Sequence, residues 1–305
     1  MLSLEPEIVQ LRDDGRIAAD VAAPLIAEER RQIVSLYTEV RVLAWLGVML
    51  IVTGVGIVVS KNLDRIGPIA IATAIGLASG SCYVYSVWRR APSRASIVSD
   101  SVLLLGALLL STDVGYIEHH FHILGREWPR HFLWLAIVHG VTAYSFSSAA
   151  LLSLSIGALA AWLGIERNMT TLFVTSPETA MRAFACAAVV AVWRVANRRR
   201  EFERVFDHFI ANLALWGGLI LTFDDDTRTI GATVVIVLAA LTIAYSFRSR
   251  AEAFLIYAYI YAVIAIDVLV IPHGEVAALL YLTLSTTAAI VGLFVLHGRF
   301  RKAVA

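Results

Sequence analysis

Apolar residues run through this chain in long blocks separated by short polar punctuation. Ten blocks can be traced, at about 42–60, 66–88, 97–118, 132–145, 148–165, 179–195, 209–223, 229–247, 253–271 and 276–297. A helix needs about 20 mostly apolar residues to cross a hydrocarbon core of roughly 30 Å. Lipid cannot satisfy exposed backbone groups, so each block is expected to be an α-helix. The fourth and fifth blocks are the shortest. Residues 132–165 make either two short helices with a tight turn near Ser147 and Ser148, or one long kinked helix.

The segment before the first block has a different pattern. Leu4, Ile8 and Leu11 recur at helical spacing, and Asp13-Asp14-Gly15 is a turn signal. Residues 18–39 read as a second helix, with Val21, Leu25, Ile33 and Leu36 roughly on one face and Pro24 near its first turn. The expected fold is all-α: a polytopic transmembrane helix bundle of about ten spans, preceded by a short cytoplasmic helical hairpin. Its parts are the hairpin at 1–41, a first membrane half at 42–165 and a second at 166–305. The hairpin is expected to anchor on the bundle or the membrane surface, or to dock a protein partner.

Arginine placement supports the span count. With the N-terminus inside, the inner segments hold 17 Lys and Arg and the outer loops 6, as positive-inside sorting requires. Merging 132–165 into one span would put Arg198, Arg199, Arg200 and Arg204 outside, against the rule. Both termini are therefore expected in the cytoplasm of a bacterial cell, with the bundle in the inner membrane. No cleavable leader is expected, because the start is acidic and amphipathic.

Composition excludes several classes. The 305 residues are 59% apolar and 16% charged, too apolar for a soluble globule of this length. Net charge is +1 and the arginines lie in scattered short clusters, so nucleic acid is not an expected partner; the lipid bilayer is. Cys82 and Cys186 both sit in apolar stretches and read as small buried hydrophobes. No nucleophile elbow, phosphate-binding loop, dinucleotide fingerprint or Cys-x-x-Cys pair occurs. Gly76 and Gly80 share a helix face and would let another backbone approach closely.

Three segments resemble the bacterial predicted-membrane-protein family DUF2157. One is Leu11-Arg-Asp-Asp-Gly-Arg-Ile17 and the glycine-bearing span after it. Another is Ser60-Lys-Asn62-Leu63-Asp64, where the family usually has Asn-Trp; Asn62 matches and Leu63 departs. The third is His119-His-Phe-His-Ile-Leu-Gly125 followed by Leu133-Trp134. Its family counterpart resembles Gln-Ile-Tyr-His-x-x-Gly and then Leu-Trp. His122 and Gly125 match, Phe121 replaces tyrosine, and His119 stands where glutamine is usual. The likeness covers roughly residues 5–165 and implies a polytopic inner-membrane protein, with no activity attached.

Candidate chemistry lies in two places. Glu118, His119, His120 and His122, with His131 nearby, offer imidazole and carboxylate ligands for a divalent metal such as zinc, copper or nickel. If the helix continues, His119 and His122 share a face. The bland alternative is an interfacial turn whose histidines only hydrogen-bond. The second place is an intramembrane charge cluster of Asp113, Arg182 and Asp267, each expected roughly 6–8 Å below the outer boundary. Arg182 would then pair with Asp113 or Asp267; snorkelling to water is the alternative. His139 lies deeper and reads as a satisfied buried histidine.

The outer loops also carry Asp224, Asp225, Asp226, His273 and Glu275, which would favour an approaching cation. Arg194 with Arg198–Arg200 reads first as an anchor to anionic headgroups. Three functions stay open. The first is a small-solute or cation transporter, by analogy with inverted-repeat carriers. The second is a structural or regulatory membrane protein acting through its hairpin. The third is a metal-dependent membrane enzyme with an outer histidine site.

Overall fold

A computed structural model describes residues 5–23, 37–89, 97–123, 130–164, 176–271 and 274–304. Regular structure among them is helical throughout, with no strand. After α1 (Glu5–Asp13) come α2 (Tyr37–Ile66), α3 (Pro68–Trp88), α4 (Ile97–Phe121), α5 (Arg130–Phe146), α6 (Ala149–Trp162), α7 (Pro177–Ala196), α8 (Glu203–Phe223), α9 (Arg228–Ser249), α10 (Glu252–Val270) and α11 (Glu275–Val304). Seven helices, α3, α4 and α7 to α11, are long and apolar enough to cross a membrane. The apolar stretches Val42–Val58 and Ala149–Trp162 are shorter.

At the N-terminus the expected turn is present. Arg16 and Ile17 both donate their backbone N–H to the Leu11 carbonyl, at 2.9 and 3.2 Å, and Gly15 takes φ 69°. That is how helices commonly stop at a glycine. Most of the expected second arm lies outside the described residues. Helix α2 runs further than its apolar block suggests and carries Ser60 to Asp64 within it. It ends at Gly67, whose φ of 78° turns the chain into Pro68 at the first position of α3.

The chain divides into two compact units, residues 1–121 and 122–304. In the first, α3 and α4 pack side by side, and α2 packs mainly on α4. Their seam is Ile71, Ile75 and Leu109, flanked by Cys82, Leu105 and Tyr116. Ser79 reaches across to donate to the Gly106 carbonyl at 2.8 Å. A side chain at Gly106 would collide with Cys82, so α4 comes closest to α3 there. The two glycines of the Gly76–Gly80 motif behave differently. Gly76 faces the Asp113 carboxylate of α4, whereas Gly80 looks into open space.

In the second unit, residues 132–165 form two helices. Ser147 takes φ 55° between α5 and α6, and the Ser148 hydroxyl caps α6 by accepting from the Leu151 N–H. Ser155 of α6 donates to the Ala136 carbonyl of α5 at 2.6 Å in the buried seam. Helices α8, α9 and α10 form the core of the unit, through Leu215, Leu219, Ala232, Val235, Ala239, Ala258 and Ala265. Without a strong hydrophobic drive in lipid, helix pairs hold by close contact at small residues. Gly231 shows this most clearly, because a Cβ there would lie 2.3 Å from the Thr222 backbone nitrogen.

Hydroxyls inside the spans cost little. Thr73, Ser86, Ser111, Thr222 and Thr242 each donate to the carbonyl four residues back. Large apolar side chains such as Leu50, Trp88, Val192 and Leu284 are exposed. In a bilayer these are the lipid-facing positions.

Gly231→Ala should therefore destabilise the α8–α9 pair by about 1–3 kcal/mol, as forced overpacking does. Gly80→Ala, made where space is open, should be neutral or stabilising by roughly 0.5–1 kcal/mol. Thermal unfolding of detergent-purified protein, followed by tryptophan fluorescence, should give G231A the lower midpoint.

Candidate functional site

Among the described residues, the histidines at the end of α4 are not gathered into a ligand set. Helix α4 continues through His119 and His120 to Phe121, but His122 leaves it with φ 50°. The shared helical face expected for His119 and His122 is lost at that residue. The ring of His120 stacks on Tyr116, with centroids 5.9 Å apart, and meets Phe121 edge-on. Glu118 and His131 are buried, whereas His119, His120 and His122 are exposed. Among the described residues no three His, Cys, Asp or Glu side chains converge to hold a metal ion.

The three intramembrane charges also differ from one another. Arg182 is paired one turn away with Glu178, at the start of α7. Asp267 of α10 accepts hydrogen bonds from Tyr281 at 3.0 Å and Ser285 at 2.5 Å, both on α11. Along their helices Arg182 is about 7 Å from its end and Asp267 about 4 Å, but Asp113 is about 12 Å, because α4 extends to Phe121. Their expected common depth does not follow from the helix bounds.

Asp113 stands apart. Its side chain is buried, at 8% exposure. Its Oδ2 lies against Gly76, 3.0 Å from where a Cβ would be. Among the described residues its Oδ1 is buried without a hydrogen bond, and so is the Tyr116 hydroxyl one turn further along α4. Buried carboxylate oxygens are normally paired, since losing water without a partner is costly. His139 is buried in α5, as expected.

The acidic residues between α8 and α9 have local roles. Asp224 accepts from the Thr227 N–H at 3.2 Å and from its hydroxyl at 3.1 Å, while Asp225 pairs with Arg228. His273 lies outside the described residues.

The densest polar network lies at the opposite end of the second unit, and sequence reading missed it. Arg194, in the last turn of α7, holds two carboxylates of α8. Its Nη2 is 3.1 Å from Glu203 and its Nε donates to Asp207 at 3.1 Å. The other Asp207 oxygen accepts from the Tyr245 hydroxyl of α9 at 2.7 Å. The next residue, His208, stacks on Phe254 of α10 with centroids 4.3 Å apart and meets the Tyr257 hydroxyl at 3.4 Å. Two adjacent residues of α8 thus tie it to α7, α9 and α10.

Arg199 is held as well, over the Tyr144 ring and by Ser147 and Glu201. The expected lipid anchor of Arg194 with Arg198–Arg200 therefore loses Arg194 and Arg199 to internal partners. One signal was available: Arg194 and Asp207 are symmetric about the 200–201 turn, so an antiparallel pair of helices sets them level. Asp207 carries no signal of its own, because it precedes the apolar block that starts at 209.

Asp207→Ala should cost about 2–3 kcal/mol, since it leaves Arg194 half paired and the Tyr245 hydroxyl without its acceptor. Tyr245→Phe should cost about 1 kcal/mol. The double variant should lose less than the sum, because both changes act on one carboxylate. Thermal unfolding of the four proteins checks the cycle.

No curated protein and no solved structure matches the chain. Residues 9–152 do match a family model, and the match takes in Asp113, the outer histidines and His139 but stops before the Arg194–Asp207–Tyr245 network. The family is described as predicted membrane protein (DUF2157), the one the motifs of that region resemble.

Proposed function

We propose that this chain is a bacterial inner-membrane transporter of a small cation, built from about ten spans with both termini in the cytoplasm. Asp113 is its cation-binding carboxylate. One observation carries the reading: a carboxylate within an apolar helix has one oxygen buried with no hydrogen bond among the described residues. Ionisable groups inside spans are costly and mark ion pathways more often than not. The other two charges expected within the spans, Asp267 and Arg182, have partners within the protein. A proton or a small monovalent cation is what an unanswered carboxylate oxygen accepts. The glycine at position 76 leaves room beside it.

The ten-span count rests on α2 to α11 taken together, with α5 and α6 as a short hairpin of two spans. Positive-inside sorting supports the orientation.

Proteoliposomes should test the function. With pyranine inside for protons and a sodium-sensitive dye in parallel, an imposed gradient should drive flux through the wild type. Asp113→Asn keeps the shape and removes the charge. Flux should fall at least about tenfold, the change that about 1.4 kcal/mol of lost binding produces. Wild-type flux in the Asn variant, or no flux through the wild type, would overturn the proposal.

A further inference from the structure

The end of the second unit where α7 and α9 finish and α8 and α10 begin is strongly basic. Four carboxylates lie there and all are engaged. Glu201 is with Arg199, Glu203 and Asp207 are with Arg194, and Glu252 is with His297. Arg198, Arg200, Arg204, Arg248 and Arg250 are exposed at the same end, and none has a carboxylate partner among the described residues. Each of the four carboxylates already has an internal partner, and these guanidinium groups have none among the described residues.

Three of them follow the α8–α9 seam. The Tyr245 hydroxyl touches Asp207 across that seam. Arg204 is three residues from Asp207 toward the helix end, and Arg248 is three residues from Tyr245 in the same direction. Each step is about 4.5 Å of rise, so both arginines reach the same level on neighbouring faces. Arg250 forms the turn that follows, in the left-handed conformation with φ 52° and ψ 31°. Glycine is the usual residue where a helix ends this way, because a Cβ is unfavourable there. Here an arginine occupies the position.

We propose that Arg204, Arg248 and Arg250 form a seat for the phosphate of an anionic phospholipid headgroup. The ends of spanning helices lie at headgroup depth. A guanidinium fork matches phosphate oxygens and keeps its charge at any physiological pH. Arg194 and Arg199 do not belong to the seat, since carboxylates and aromatic rings already hold them. The inference is independent of cation transport and needs only that the chain sits in a bilayer.

Native mass spectrometry of the detergent-purified full chain, titrated with phosphatidylglycerol or phosphatidylcholine, tests it. The wild type should retain phosphatidylglycerol preferentially. R204Q/R248Q should weaken that binding at least about tenfold, the loss expected when charge-assisted contacts to phosphate are removed. R250G is the second variant. Glycine suits the turn, so the fold is kept while lipid binding falls, which separates lost binding from misfolding. R228Q, an arginine at the other end of α9 that is paired with Asp225, should bind as the wild type does. Equal binding of the two lipids by the wild type would overturn the proposal, as would wild-type binding by both seat variants. Displacement of the lipid by inorganic phosphate at matched concentration would overturn it in favour of a free-anion site.

Discussion

A polar group inside a bilayer has no water to answer it, so the protein itself must supply the partner. Most of this structure follows from that constraint. Serines and threonines in the spans turn back to their own helix carbonyls. Asp267 takes two hydroxyls from α11, a helix whose apolar side chains are left largely unburied by the rest of the described chain. Asp207 and His208 engage three other helices at once. Each polar contact is therefore also a statement about which helices must neighbour which.

Small residues let these partners meet. Lipid tails solvate leucine about as well as another helix does, so helix association depends on close approach and on polar contacts. Gly217, Gly218 and Gly231 bring α8 against α7 and α9; a Cβ would be tight at Gly217 and would collide at Gly218 and Gly231. In the first unit Gly106 and Ser79 play the same part between α4 and α3. Asp113 sits on that α3–α4 pair beside Gly76, and its Oδ1 is one of the few buried polar atoms without a hydrogen bond among the described residues. An exception to such a costly rule is where function is best sought.

The polar network also separates two kinds of arginine that look identical in the sequence. Arg194 and Arg199 are structural, held by carboxylates, a hydroxyl and rings. Arg204, Arg248 and Arg250 are left exposed beside them. The difference lies in which face of the helix end meets a neighbour.

The sequence by itself determined where the helices are. Blocks of apolar residues, glycine and proline at their borders, and the sign of the loops placed α2 to α11 and the turn after Leu11. They also called for two helices within 132–165, because a serine pair interrupts the block and one helix would have reversed the arginine sorting. These are local properties, set by transfer free energy and backbone preference along a single segment. The tertiary structure decided which residues meet. It set His122 outside its helix, turned Gly80 away from any neighbour while Gly76 met Asp113, and gave Arg182 and Asp267 separate partners. It also joined Arg194 to Asp207 across a turn and Asp207 to Tyr245 across another. Those pairings depend on the rotation of each helix about its axis and on its neighbour in the bundle. A near-uniform apolar surface encodes neither, because every face of such a helix is equally soluble in lipid.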